Sequence, residues 1–409
     1  MIELQGKNGV ATIFTDLIEE KAISQIIRMM NNEITEGTVV KIMPDVHAGK
    51  GSTIGTTIKL PEKFEDWKVC PNIVGVDVGC GILMYKLKSK PGSINLQKLD
   101  KVIHDLIPSG FNVHNSKDES AEELISKLTI NIKQKTLDHI VNSLGTLGGG
   151  NHFIELGIDE ENNYWLSVHS GSRNLGVQVA KTHQDIAIES LKDKKIDING
   201  VIEELKSQGR HREIEGVIKE LNERHKNMSL GEKDLAYLQG ENLKKYLHDM
   251  TIAQKFAIEN RKKILDIIVN AMELEVVDKF DSIHNFIEHD NFTNGIIRKG
   301  ATSAYKGERL VIPLNMRDGS LICVGKGNSD WNNSAPHGAG RMMSRSKAKE
   351  NIKLNEFKEQ MKEIYSSTVS ELTLDEAPDA YKPADVIKEN IKDTAVILHQ
   401  VKPIYNYKG

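Results

Sequence analysis

Five short segments set chemically capable side chains beside turning backbone, mostly at glycine. Asp77 and Cys80 lie in "GVDVGCG", Asn151, His152 and Glu155 in "GGGNHFIE", and His169 in "SVHSGSRNLG". His284 and Asn285 lie in "DSIHNFIEHD", and His337 in "SAPHGAGR". Taken singly, each has an ordinary explanation. A lone cysteine is usually a small buried hydrophobe, and a lone loop histidine is usually structural or solvated. Together they supply one thiolate, one carboxylate and several imidazoles, a borderline-soft donor set for a divalent transition metal such as Mn, Fe, Co or Zn. Asp77 and Cys80 are three apart around glycines, so both can face one site. A thiolate can bridge two cations, and cations about 3.5–4 Å apart recur in phosphoryl-group chemistry. Structural zinc sites use tight pairs such as C-x2-C with H-x3-H. Those pairs are absent, which favours a catalytic site assembled from distant segments.

The same segments suit phosphate. "LGTLGGGNHF" and "VHSGSRNLG" offer backbone N–H groups to anions, although glycine-rich turns alone are unspecific. "HGAGRMMSRSKAK" joins His337 to Arg341 and Arg345, which at four residues apart share one face of an expected helix. Guanidinium groups hold phosphate oxygens by bidentate contacts. The alternative is a solvated basic helix; His337 and its glycines weigh against it.

Rigid elements must present such loops. Residues 1–185 read as mixed α/β. "TDLIEEKAISQIIRMMN" has helical spacing with Thr15 as its cap. "NIVGVDV" and "NYWLSVHSG" read as strands ending in loops. Residues 186–275 read as a helical insertion: "EIEGVIKELNERHK" spaces Ile214, Val217, Ile218 and Leu221 along one face, and residues 234–272 hold no proline. Its charges read as a solvated face or as an RNA or partner surface. Strands return from 276, with "RLVIPLNMRDGSLICVGKG" forming two joined at Asp318-Gly319. No linker divides the chain, so the expected architecture is one α+β domain, residues 1–409, carrying the insertion.

Composition narrows the class. The chain is 39% hydrophobic and 27% charged, which is ordinary for a globular protein. No run nears the roughly 18 apolar residues of a membrane span. The N-terminus has no secretory pattern, and Cys70, Cys80 and Cys323 are too scattered for a disulfide framework. A cytoplasmic monomer is expected. A net charge of −4 excludes a globally basic nucleic-acid binder, so any polyanion must meet a local patch.

"PDVHAGKG", "GVDVGCG", "GGGNHFIE", "HSGSRNLG", "SIHN" and "HGAGRMMSR", in that order and at those separations, resemble the RtcB-type RNA ligases. The resemblance runs from about residue 40 to the closing "YKG". It implies an enzyme that joins RNA 3′-phosphate or 2′,3′-cyclic phosphate ends to 5′-hydroxyl ends, using GTP and two Mn2+ ions. It implies Asp77, Cys80, His152, His169 and His284 as metal ligands, with Cys80 bridging, and His337 as the nucleophile that becomes guanylylated. The implied nucleotide contacts are Asn151, His152, Phe153, Ile154 and Glu155; His284 and Asn285; Pro313, Leu314, Asn315, Met316 and Ser320; His337, Gly338, Ala339 and Gly340; and Lys408. Arg341 and Arg345 are implied to hold the substrate phosphate. RNA is the implied partner, with an archease-like activator. Leu314, Asn315 and Met316, followed by Arg317 and Asp318, replace the small turn usual in the family and mark a divergent branch. Two other functions stay open: a two-metal phosphohydrolase or cyclic phosphodiesterase on RNA ends, and a non-catalytic RNA-binding protein.

Overall fold

Among the described residues, alternating and continuous apolar runs become three sheets. The computed structural model describes residues 1–89, 92–192, 198–219 and 230–409. A six-stranded sheet takes β1 (Ile2–Gly6), β2 (Gly9–Ile13), β3 (Val39–His47) and β4 (Ile54–Lys59), then β10 (Thr293–Lys299) and β9 (Asn285–Asp290). A seven-stranded sheet has the order β12 (Arg309–Asn315), β13 (Gly319–Gly325), β15 (Ala395–Lys408), β6 (Phe153–Ile158), β7 (Tyr164–Ser170), β5 (Gly81–Leu87), β8 (Val276–Ile283). A ribbon of β11 (Ala301–Ser303) and β14 (Ser334–Pro336) pairs Ala301 with Pro336. The fold is α+β, as the sequence patterns require.

β7 is buried at every residue and β5 at all but Lys86. Strands covered on both faces read as continuous apolar runs. The hairpin expected at Asp318-Gly319 forms, with Asn315 opposite Gly319. Two local readings are overturned. "NIVGVDV" is not a strand: Pro71–Val74 is a short helix ended at Gly75, whose φ is 103°. Proline is pre-set for the first helical position, and glycine accepts the positive φ that turns the chain toward Asp77. Thr15 caps no helix; its Oγ1 accepts from the Leu17 amide at 3.1 Å, and the helix runs Glu20–Met30.

The helix Arg173–Lys192 passes through residue 186, where the sequence changes character. It packs against the 33-residue helix Gly240–Met272. This long helix, about 50 Å at 1.5 Å per residue, serves two cores. Leu243, Leu247, Met250 and Phe256 join the core of the six-stranded sheet, and Ile264, Leu265 and Ile268 pack under β5, β6 and β7. Leu221 lies outside the described residues. No helix among the described residues is long and apolar enough to cross a membrane.

Candidate active site

Strand register brings the ligand-type side chains together at one end of the neighbouring strands β6, β7, β5 and β8 of the seven-stranded sheet. β5 and β7 pair Ile82 with His169, β6 and β7 pair Phe153 with His169, and β5 and β8 pair Gly81 with Ile283. Cys80 therefore just precedes β5, His152 just precedes β6, and His284 just follows β8, all beside His169. The His284 amide donates to the Cys80 carbonyl at 2.9 Å.

Two ligand groups result. Cys80, His169 and His284 form one; Asp77, Cys80 and His152 form the other. Cys80 belongs to both. Its Sγ is 3.3 Å from His169 Nε2 and 3.5 Å from His152 Nε2. His169 Nε2 is 3.3 Å from His284 Nε2, and His152 Nε2 is 3.0 Å from Asp77 Oδ2. His152 Nδ1 meets the Leu147 carbonyl at 2.9 Å and His169 Nδ1 the Asn151 carbonyl at 3.2 Å. The Asn151 carbonyl takes the His169 Nδ1 proton and leaves its Nε2 lone pair facing the sulfur, as a metal-bound histidine requires, while the Leu147 carbonyl orients His152 with its Nε2 turned to Asp77 and Cys80.

The electrostatics fit cations. Burial, then the charge of His152, drives His169 well below its ordinary pKa; burial, then the charge of His337, does the same to His284. Both are neutral imidazoles at neutral pH. Burial pushes Asp77 up, but the His152 hydrogen bond and charge outweigh it and hold the carboxyl below its ordinary value. Burial and the Asp77 charge lift the Cys80 thiol well above its usual range. Asp77 Oδ1 is buried without a hydrogen-bond partner among the described residues. An orphaned acceptor beside a shared thiol and neutral imidazoles is what a pair of divalent ions satisfies.

His337 follows β14 and adjoins this centre. Its ring lies 4.7 Å from the His284 ring, and its Nδ1 is 2.7 Å from Oδ2 of Asp45 on β3. Asp45 is fully buried. A proton on Nδ1 shared with Asp45 leaves Nε2 with its lone pair.

A cavity of about 550 Å3 opens over His169 and His337. Roughly 300–1,000 Å3 suits a small-molecule ligand. Asn151, Phe153 and Glu155 line it, whereas Ile154 points into the β5–β7 core, as strand alternation dictates. Pro313, Leu314, Asn315, Met316 and Ser320 form another wall, and Gly338, Ala339, Gly340 and Lys408 a third. His152, His284 and Asn285 do not line the cavity. Asn285 instead braces the ligand loop, donating to the Asp77 carbonyl at 3.1 Å and accepting from the Gly300 amide at 2.8 Å. Burial pushes the Glu155 carboxyl up to about 8, against the Asn406 hydrogen bond and the Lys408 charge.

The family model for the tRNA-splicing ligase RtcB matches residues 25–135 and 127–409. The chain belongs to the RtcB family. It is 29% identical over 404 residues to the RNA-splicing ligase RtcB of Escherichia coli K12, covering 90% of each chain. An Escherichia coli RNA-splicing ligase RtcB2 is 27% identical over 98% of this chain and 96% of its own. The tRNA-splicing ligase RtcB of Aeropyrum pernix is 26% identical over 90% of this chain and 87% of its own.

In this RtcB chain Arg341 and Arg345 do line the cavity, but not from one helix face. Ser344 caps a helix that begins at Arg345, and Arg341 sits before it in a β-bridge with Tyr381. Gly340, at φ 74°, has already turned the chain. Both arginines rest on a buried carboxylate absent from the sequence reading. Glu376 takes Arg345 Nη1 at 2.7 Å, Arg341 Nη1 at 3.4 Å, Lys408 Nζ at 2.8 Å and the Tyr381 hydroxyl at 2.7 Å. Asp375 also takes Arg345, at 2.5 Å. Asp45 was visible only as the acid in "PDVHAGKG"; nothing local marks Glu376.

Proposed function

We propose that this RtcB-family protein is a GTP- and Mn2+-dependent RNA ligase that joins 3′-phosphate or 2′,3′-cyclic phosphate ends to 5′-hydroxyl ends, acting as a cytoplasmic monomer. The observation that carries the reading is His337, held at Nδ1 by Asp45, with Nε2 left free beside a thiol–imidazole centre. Phosphorylated imidazole remains reactive, so histidine suits a covalent carrier role. His337 Nε2 attacks the α-phosphorus of GTP and pyrophosphate leaves, giving guanylylated His337. The RNA 3′-phosphate takes the guanylate and frees the imidazole. The 5′-hydroxyl then attacks the activated phosphorus, and GMP departs as the phosphodiester forms. A cyclic phosphate is first opened by water.

Asp77, Cys80, His152, His169 and His284 would hold two Mn2+ ions, which when bound polarise phosphate and offset its charge. Asp45 stabilises the imidazolium that forms as His337 reacts. Arg341 and Arg345 would meet the RNA phosphate, exchanging contacts with Asp375 and Glu376 for contacts with the substrate. Lys408 and the neutral Glu155 face the nucleotide cavity.

Incubation with α-labelled GTP and Mn2+ tests the reading. Label stable in alkali and released by acid is expected on the wild type and absent from His337→Ala. No label, with cyclic-phosphate opening retained, supports a two-metal hydrolase instead. RNA binding without either activity supports a binding protein.

A further inference from the structure

The long helix Gly240–Met272 reaches the ligand loops from behind, without lining the cavity. Two neighbours on it, Asn260 and Arg261, are both fully buried. Arg261 Nη1 donates to the Gly79 carbonyl at 2.8 Å and the Ser170 carbonyl at 2.9 Å. Those carbonyls immediately precede Cys80 and follow His169. The other edge of the guanidinium, Nε and Nη2, meets Asp281 of β8 at 2.9 and 2.6 Å, three residues before His284. Asn260 Oδ1 accepts from the Gly145 and Thr146 amides at 2.7 and 3.1 Å. Its Nδ2 donates to the Thr146 carbonyl, the Ser170 hydroxyl and the Gly171 carbonyl at 3.1, 3.0 and 3.2 Å. Thr146 adjoins Leu147, whose carbonyl takes His152 Nδ1. Gly79 is pressed so close to the helix that a Cβ there would stand 2.8 Å from the Gln254 Cα.

We propose that Asn260 and Arg261 are positioning residues that hold the loops of Cys80, His152 and His169 in metal-binding geometry. This rests on reading those side chains as metal ligands. One planar fork spans a carboxylate on one edge and two carbonyls on another; a lysine ammonium, a compact point charge, cannot keep that arrangement. Partners behind the ligands commonly set metal affinity as strongly as geometry at the ligands themselves.

The metal-free full chain is titrated with Co2+ alone, reading the thiolate charge-transfer and d–d bands. Arg261→Lys and Asn260→Asp are expected to bind Co2+ roughly 10–100-fold more weakly, with altered d–d intensities. Leu243→Ala, in the core at the far end of the same helix, is expected to lower the thermal midpoint and leave Co2+ affinity and spectrum unchanged. Should Arg261→Lys not fold, Asn260→Asp carries the same test. Folded variants with wild-type affinity and spectrum overturn the proposal, as does affinity that merely tracks the thermal midpoint across all three. Wild-type protein that takes up no Co2+ instead overturns the metal reading beneath it.

Discussion

At the residue scale, the proposed chemistry turns on His337 and Asp45, whose Nδ1 and Oδ2 stand 2.7 Å apart. A carboxylate on Nδ1 can only accept, so it selects the tautomer and steadies the imidazolium, whereas an amide in its place can donate to Nδ1 and leave the proton on Nε2. Asp45→Asn keeps the volume and removes the charge. Guanylylation is expected to fall by at least ~10²-fold, with Mn2+ content unchanged, because the wrong ring nitrogen then carries the proton. Single-turnover labelling with α-labelled GTP, beside elemental analysis, checks both halves. Cys80 makes the opposite prediction. It is common to both ligand groups, so Cys80→Ala is expected to lose metal from both. His337→Ala keeps its metal and loses the label. Elemental analysis after dialysis distinguishes the two, and a Cys80→Ala protein that retains two ions contradicts the bridging role.

At the scale of elements, the candidate ligands are set by where strands stop. The loop after β7 must pass close to the loop before β5. A Cβ on Gly171 would stand 2.1 Å from Asp77 Oδ1. Gly171→Ala is therefore expected to push the Asp77 carboxylate out of its group and weaken metal binding, while β7, buried along its whole length, keeps its register. Calorimetric Mn2+ titration beside a thermal unfolding scan checks this; unchanged affinity would show that the loop yields elsewhere. Gly148 carries a related constraint. At φ 87° it leaves the space in which the Arg173 guanidinium lies, where a Cβ would meet Nη1 at 1.7 Å. Strands β7 and β12–β13 were readable because burial pattern and turn residues agree with the pairing they make. The segment before Cys80 was misread because its apolar run suits a strand and a short helix equally, and Pro71 with Gly75 settles it only once packed.

Across the whole molecule, two buried carboxyls with opposite shifts predict the pH dependence of stability. Burial pushes Glu376 up, but the charges of Lys408 and Arg345, with hydrogen bonds from Lys408 and Tyr381, outweigh it and hold it down to about 2, from 4.5. The folded carboxylate binds its proton more weakly than the unfolded one. Its contribution, on the order of a few kcal/mol, is present above pH 4.5 and lost as pH falls toward 2. Glu155, raised by burial to about 8, runs the other way. Its neutral form stabilises the fold at and below pH 4.5, and that contribution fades as pH rises through about 8. Metal-free protein is expected to lose the acid limb of its Tm–pH curve in Glu376→Gln and the falling slope between pH 4.5 and about 8 in Glu155→Gln. Thermal scans from pH 2 to 9 check both, and parallel curves for variant and wild type would remove these two groups from the account.

The sequence by itself determined the donor set, the order of the glycine-rich segments, the family and the α+β class. These are properties of residue types and of periodicity over a few residues. Only the tertiary structure decided that strand register at β5–β8 collects Cys80, His152, His169 and His284 at one end of those strands, and that Asp45 seats a histidine 292 residues away. It also decided that Arg341 and Arg345 lean on Glu376 rather than sharing a helix face, and that Asn260 and Arg261 brace the ligand loops. Local pattern constrains which face of an element is apolar. It does not constrain which polar atom from a distant element fills a buried hydrogen bond, because that partner is chosen by packing across the whole chain.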